Sequence, residues 1–186
     1  MSALTVVPLA LPGILEITPP RFTDERGFFS ETYNRQAFAT AGIADEFVQD
    51  NHAYSRLKGT FRGLHYQLPP RAQGKLLRAL RGSFLDVMVD IRRSSPTFSK
   101  WLAVEVSAAR WNQVYVPAGY AHGYLTLEDD TEVAYKVTDT YSQPYERAIR
   151  FDDPAIGITW PMPVETMRLS ARDLAAPVLA AAEIFD

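Results

Sequence analysis

Cysteine is absent from the 186 residues, and histidine occurs only three times, as His52, His65 and His122. The first absence excludes disulfides and thiolate metal sites. No uninterrupted apolar run approaches the ~18 residues that suggest a membrane span. The stretch Met1 to Pro12 is apolar but has no early positive charge and carries Pro8 and Pro12, which makes it a poor signal peptide. Nor is there an excess of basic residues: a net charge of -3 and a pI near 5.6 argue against a general nucleic-acid binder. A Gly-rich phosphate loop and a dinucleotide fingerprint are missing too. The expectation is a cytoplasmic protein with neither a membrane nor a nucleic-acid partner. Without repeats, low-complexity segments or a linker-like charge run, residues 1–186 are read as a single domain.

Punctuation is plentiful. Thirteen prolines and ten glycines separate short segments rich in Val, Leu, Phe and Tyr, the pattern of an all-β barrel or sandwich. Several segments alternate as half-buried strands do. From Phe84 to Ile91 the odd positions are aliphatic, while Phe84, Asp86 and Met88 share the other face with Asp90. Val133, Tyr135 and Val137 share a face, as do Lys75, Leu77 and Ala79, and as do Gln49 and Asn51. Helix is scarce. Asn34 to Ala41, stopped by Gly42, reads as one short helix, and Ser170 with Asp173 three residues on reads as a capped start. An alanine-rich helix from Leu174 to Ile184, interrupted at Pro177, is expected to follow.

Three stretches have the residue types for chemistry. In Arg62-Gly63-Leu64-His65-Tyr66-Gln67 a titratable imidazole lies near a permanent cation, beside a glycine that permits close backbone approach. A barrel metal site commonly needs two histidines one residue apart with a distant third, and none of the three here has such a neighbour. General acid–base catalysis is the better reading, with His65 as base. Its orienting carboxylate is Asp86 or Asp173, Tyr135 is a candidate acid, and Lys75 suits a developing oxyanion. Each has a plainer alternative: core histidine, core tyrosine, helix cap, surface lysine. The second stretch, Asp24 to Glu31, mixes charges with Phe28 and Phe29. Together with Gln49, Asn51 and Arg62 it has the means to stack a base and bind a diphosphate, although an exposed salt-bridged hairpin explains it equally. The third, Val116 to Tyr124, puts His122 between Ala121 and Gly123 after a Pro117–Gly119 turn.

In order and spacing these segments resemble the cupin-fold dTDP-4-dehydrorhamnose 3,5-epimerases from about Leu11 to Pro177. The likeness is carried by Asp24–Glu31, Gln49–His52, Lys58–His65, Gln73–Leu76, Asp86–Arg92, Ser94–Phe98, Ala121–Tyr124 and Ile156–Pro161. The resemblance implies an all-β, cupin-like jelly-roll barrel with a few short flanking helices, working as a homodimer without metal or cofactor. It implies a dTDP-linked 4-keto-6-deoxyhexose substrate, epimerised at carbons 3 and 5 through an enolate. The family's base falls on His65, its supporting acid on Asp173, its proton donor on Tyr135 and its enolate lysine on Lys75. Substrate contacts fall on Arg26, Phe29, Glu31, Gln49, Asn51, Arg62, His122 and Tyr141, with the Arg26–Glu31 segment serving the neighbouring subunit's site. Tyr120 and Tyr124 replace more usual phenylalanines around His122. A mono-epimerase, a silent sugar-nucleotide binder and a metal-dependent cupin are the alternatives. Strand parity sets one condition: a regular strand would turn Arg62 and His65 to opposite faces, so their shared role requires a bulge at Gly63.

Overall fold

A computed structural model describes residues 4–186; Met1–Ala3, the start of the apolar Met1–Pro12 stretch, lie outside the described residues. In chain order the strands are β1 (Thr5–Pro8), β2 (Leu15–Thr18), β3 (Phe22–Asp24), β4 (Gly27–Phe29), β5 (Gln49–Ser55), β6 (Phe61–Gln67) and β7 (Lys75–Arg81). They continue as β8 (Ser83–Asp90), β9 (Trp101–Ser107), β10 (Gln113–Val116), β11 (Tyr120–Thr126), β12 (Thr131–Val137) and β13 (Glu146–Ala148). One sheet has six strands in the order β1-β2-β10-β7-β12-β5, and the other has five in the order β13-β6-β11-β8-β9. This is the expected β-rich, cupin-like architecture. The β3–β4 hairpin pairs with neither large sheet.

Side-chain alternation assigns the layers. Leu77, Ala79, Val114 and Val133 from the six-stranded sheet meet Phe84, Met88, Val106, Tyr120 and Tyr124 from the five-stranded one. The other face of β8 carries Val87 and Val89, which pack with Leu64, Ala121 and Leu125 into a second core. The odd and even positions of β8 therefore enter different cores, as their alternation predicts. A third cluster joins Ile17, Leu76 and Tyr115 to Phe38 and Ile43. Phe38 belongs to α1 (Arg35–Thr40), whose N-cap Asn34 accepts from the Ala37 amide at 3.1 Å.

The C-terminal segment departs from expectation. The α-helix α2 spans only Ala171–Leu174, and the alanine-rich stretch forms no further α-helix, only a 3-10 turn at Leu179–Ala181. Pro177 explains the break, because its ring disfavours helical backbone at Ala176 and it has no N–H to donate. The stretch instead lays Ala176, Leu179, Ala182 and Ile184 against the outer face of the five-stranded sheet.

The bulge required at Gly63 is present. Strand β11 pairs His122 with His65 but Tyr124 with Arg62, so two residues on β6 oppose one on β11. Gly63 takes φ +151°, and a Cβ there would sit 2.5 Å from the Gly123 Cα. A Cβ on Gly123 would likewise meet the Arg62 carbonyl at 2.8 Å. Two glycines facing one another across the ladder thus allow Arg62 and His65 to share the inner face. Gly63→Ala is expected to cost on the order of 2–4 kcal/mol of stability in urea unfolding, through backbone strain and overpacking. The substitution also moves Arg62 or His65 away from the inner face, so ligand binding falls as well.

Candidate active site

Between the sheets lies a cavity of about 490 Å³ lined by Arg62, His65, His122 and Tyr124 on one wall and by Lys75, Leu77 and Tyr135 on the other. Ser170, Arg172 and Asp173, from the segment around α2, close one side, and Arg168 joins the rim. Arg62, Lys75, Arg168 and Arg172 outnumber the acidic Asp173 among these residues, so the site favours an anionic ligand.

His65 Nε2 lies 2.7 Å from Asp173 Oδ1. The backbone of Asp173 has a second role, since its amide donates to Ser170 Oγ, the N-cap of α2, at 3.1 Å. Asp173 thus belongs to the capped first turn through its backbone and pairs with His65 through its side chain. Burial pushes the Asp173 pKa up, but the hydrogen bond and charge of His65, with the Ser170 contacts, outweigh it and hold the carboxyl below its ordinary value. Of the two candidate carboxylates only Asp173 is hydrogen-bonded to His65, because Asp86 Oδ1 lies 2.6 Å from His122 Nε2 instead. Burial lowers the His122 pKa despite the adjacent Asp86 carboxylate.

The third histidine stands elsewhere. His52 is on the outer face of β5, 2.9 Å from Glu132. Among the described residues no three His, Asp or Glu side chains converge as a metal-ligand set.

Lys75 is not a surface charge. Its Nζ donates to the His65 carbonyl at 3.2 Å, and burial brings its pKa down to about 8, partly opposed by Asp86 and Glu146. Tyr135 faces the cavity from the opposite sheet to His65. Burial raises its pKa against the pull of Arg62, so at neutral pH it is a phenol able to donate. Arg62 reaches the Tyr54 carbonyl at 3.2 Å and is exposed enough to turn towards a ligand.

Six expected contact residues do not line this cavity. Gln49 and Asn51 are register partners of Val137 and Tyr135, so they extend its wall along the edge strand. The Tyr141 amide donates to Gln49 Oε1 at 3.1 Å, which ties the exposed Tyr141 ring to that extension. Arg26, Phe29 and Glu31 stand apart in and after the hairpin, where Arg26 binds its neighbour Asp24 at 2.5 Å.

Sequence reasoning missed Glu146 and Arg172. Arg172 Nη2 is 2.7 Å from Glu146 Oε2, which also accepts from the Tyr141 hydroxyl at 2.6 Å. Burial raises the Glu146 pKa, and the bonds from Arg172 and Tyr141 more than reverse this. The pair bridges β13 to α2 and so braces the residue next to Asp173. The only local hint was a cation immediately before the acid. Tyr124, to which the sequence assigns no site role, lines the same wall, and burial pushes its pKa up to about 12 against the opposing effects of Arg62 and Ser55.

With this geometry in view, the likenesses to known proteins are specific. The sequence profile of the family described as dTDP-4-dehydrorhamnose 3,5-epimerase matches residues 8–181. An enzyme of that name from Shigella flexneri is 46% identical over 183 residues, covering 98% of this chain and 99% of the relative. A Streptomyces protein named dTDP-4-dehydro-6-deoxyglucose 3-epimerase is 38% identical, covering 95% of this chain and 89% of its own length. Among solved structures, the Legionella pneumophila 3,5-epimerase in complex with dTDP-4-keto-L-rhamnose superposes with a TM-score of 0.91 at 40% identity, covering 96% of this chain and 94% of its own. Fold, cavity and sequence agree: the chain belongs to the dTDP-4-dehydrorhamnose 3,5-epimerase family.

Proposed function

We propose that this protein epimerises a dTDP-linked 4-keto-6-deoxyhexose at carbons 3 and 5 by acid–base catalysis in the cavity between the sheets. The observation that carries the reading is a carboxylate-paired histidine on one wall, His65 with Asp173, facing a protonated phenol, Tyr135, on the other. Epimerisation needs that opposition, because the proton must leave one face of the carbon and return on the other.

The ketone at carbon 4 acidifies the hydrogens at carbons 3 and 5. His65 takes one as a proton, its imidazolium held by Asp173, and the electron pair moves onto the ketone oxygen as an enolate. Lys75, cationic at neutral pH, stabilises that oxygen. Tyr135 then protonates the carbon from the opposite side, and proton exchange with water resets the pair. Asp173 keeps its charge throughout, since its pKa is held low.

Arg62 takes the diphosphate, with the cationic rim as support, and His122, fixed by Asp86, contacts the sugar. Gln49, Asn51 and Tyr141 continue the wall towards the nucleoside. Arg26, Phe29 and Glu31 cannot serve the cavity of their own chain from where they stand. Exposed aromatic and guanidinium groups of this kind suit a thymine ring and its phosphates, so the Arg26–Glu31 segment is assigned to the site of a second copy in a homodimer. A second reading, epimerisation at one carbon only, is favoured by the Streptomyces likeness to a protein named as a 3-epimerase.

His65→Ala is expected to lower kcat by about 10²–10⁴-fold, while Tyr135→Phe loses epimerised product but retains slow proton abstraction. Rapid-quench assay with the 4-keto-6-deoxyglucose nucleotide distinguishes these outcomes, and full activity in His65→Ala removes the proposal. Because Lys75 loses its charge as pH rises through about 8, kcat/KM is expected to fall there, and Lys75→Met abolishes that alkaline limb. The depressed pKa also means that charged Lys75 opposes folding below about pH 8 and ceases to do so well above it. Lys75→Met therefore raises the thermal midpoint at pH 7 while it lowers activity, the opposite of a structural lysine.

A further inference from the structure

The β3–β4 hairpin is almost bare. All six residues of its strands are exposed, Phe29 at 70%, and the two strands pair only with each other. A two-stranded hairpin of this size does not hold an orientation by itself in water. One side chain outside it supplies the anchorage. Trp111, in the turn between β9 and β10, meets the Phe28 ring edge-on at 4.7 Å. The Arg21 guanidinium, just before the hairpin, sits 5.3 Å from the Phe28 ring and 5.4 Å from the Trp111 ring. The indole Nε1 donates to Ser30 Oγ at 3.3 Å, just after the hairpin, and Ser30 Oγ donates to the Pro20 carbonyl at 2.7 Å. The residues flanking the arm, Arg21 and Ser30, and Phe28 near its end thus converge on one indole.

The indole is held at a backbone cost. Trp111 has φ +62°, a left-handed conformation that a bulky non-glycine residue rarely adopts. The turn is pinned nonetheless: the Trp111 amide donates to the Ser107 carbonyl at 3.0 Å, and Asn112 Nδ2 donates to Glu16 Oε1 at 2.6 Å. Nothing in the cavity needs Trp111, which is absent from its lining.

We propose that Trp111 is the brace that sets the reach of the Phe22–Phe29 arm, and that it acts as a positioning residue for the active site of a second copy of this chain. The inference rests on the reading that the arm serves a neighbour. Trp111 clamps the base of the arm through Phe28, Arg21 and Ser30, leaving the exposed Arg26 and Phe29 to meet the nucleotide, Arg26 by exchanging its Asp24 partner for a phosphate. Its effect falls on substrate binding in the partner's cavity, not on chemistry in its own.

Two-tag co-expression yields isolated hybrid dimers that test this. A Trp111→Ala homodimer is expected to show KM raised about tenfold with kcat nearly unchanged. A hybrid of Trp111→Ala with His65→Ala has one native cavity served by one native arm, so it is expected to regain wild-type KM at about half the wild-type kcat. Trp111→Phe, which keeps the ring contact, is expected to restore most of the affinity. Should Trp111→Ala fail to fold, Ser30→Ala loosens the same clamp and is expected to shift KM in the same direction. A control hybrid pairs the Arg26→Ala, Phe29→Ala double variant with His65→Ala. If the control regains nothing, the arm reading itself fails. If the control recovers while the Trp111→Ala homodimer keeps wild-type KM, or its hybrid keeps the raised KM, the brace is overturned and the arm reading stands.

Discussion

The close passage of Gly63 against Gly123 is the contact on which the site depends. A strand alternates its side chains with a period of two, so Arg62 and His65 belong on opposite faces of any regular β6. The extra residue at Gly63 reverses the parity between them, and the missing Cβ on Gly123 lets the bulged backbone lie against β11. The Arg62 guanidinium and the His65 imidazole thereby line one cavity. His122 and Tyr124, their partners on β11, complete the same wall.

Electrostatics then distributes the work. Two histidines line one cavity and each holds a different carboxylate, so neither competes for the other's partner. Half-exposed His65 keeps access to ligand, whereas buried His122 is confined by Asp86 and favours its neutral form. Lys75 faces them from the other wall as a cation kept from water, which costs stability and strengthens its field within the cavity. Glu146 and Arg172 stand behind this arrangement and tie α2, and with it Asp173, to the loop that carries Tyr141.

What could be read from the chain was local. Alternation in β8 correctly divided Val87 and Val89 from Phe84 and Met88, and the face shared by Val133 and Tyr135 proved to be the inner one. The Ser170 cap was legible because its donor lies three residues away. Gly63 could be named as the site of a bulge, but its counterpart Gly123 could not, since the pairing of β6 with β11 is a property of the folded sheet. Distance in sequence also hid Glu146 and Arg172, and only the fold separated Asp86 from Asp173. The C-terminal stretch misled because helix propensity in Ala-rich sequence is weak beside Pro177 and the burial of Leu179 and Ile184.

In the proposed reaction one histidine and one opposed phenol exchange protons at two carbons of the same bound sugar. Proton NMR of the 4-keto-6-deoxyglucose nucleotide incubated with the protein in heavy water tests it directly. Deuterium entering at both carbon 3 and carbon 5, with inversion at each, is the expected result. Incorporation at only one carbon would restrict the protein to mono-epimerisation, and no incorporation at either would contradict the proposed proton transfer.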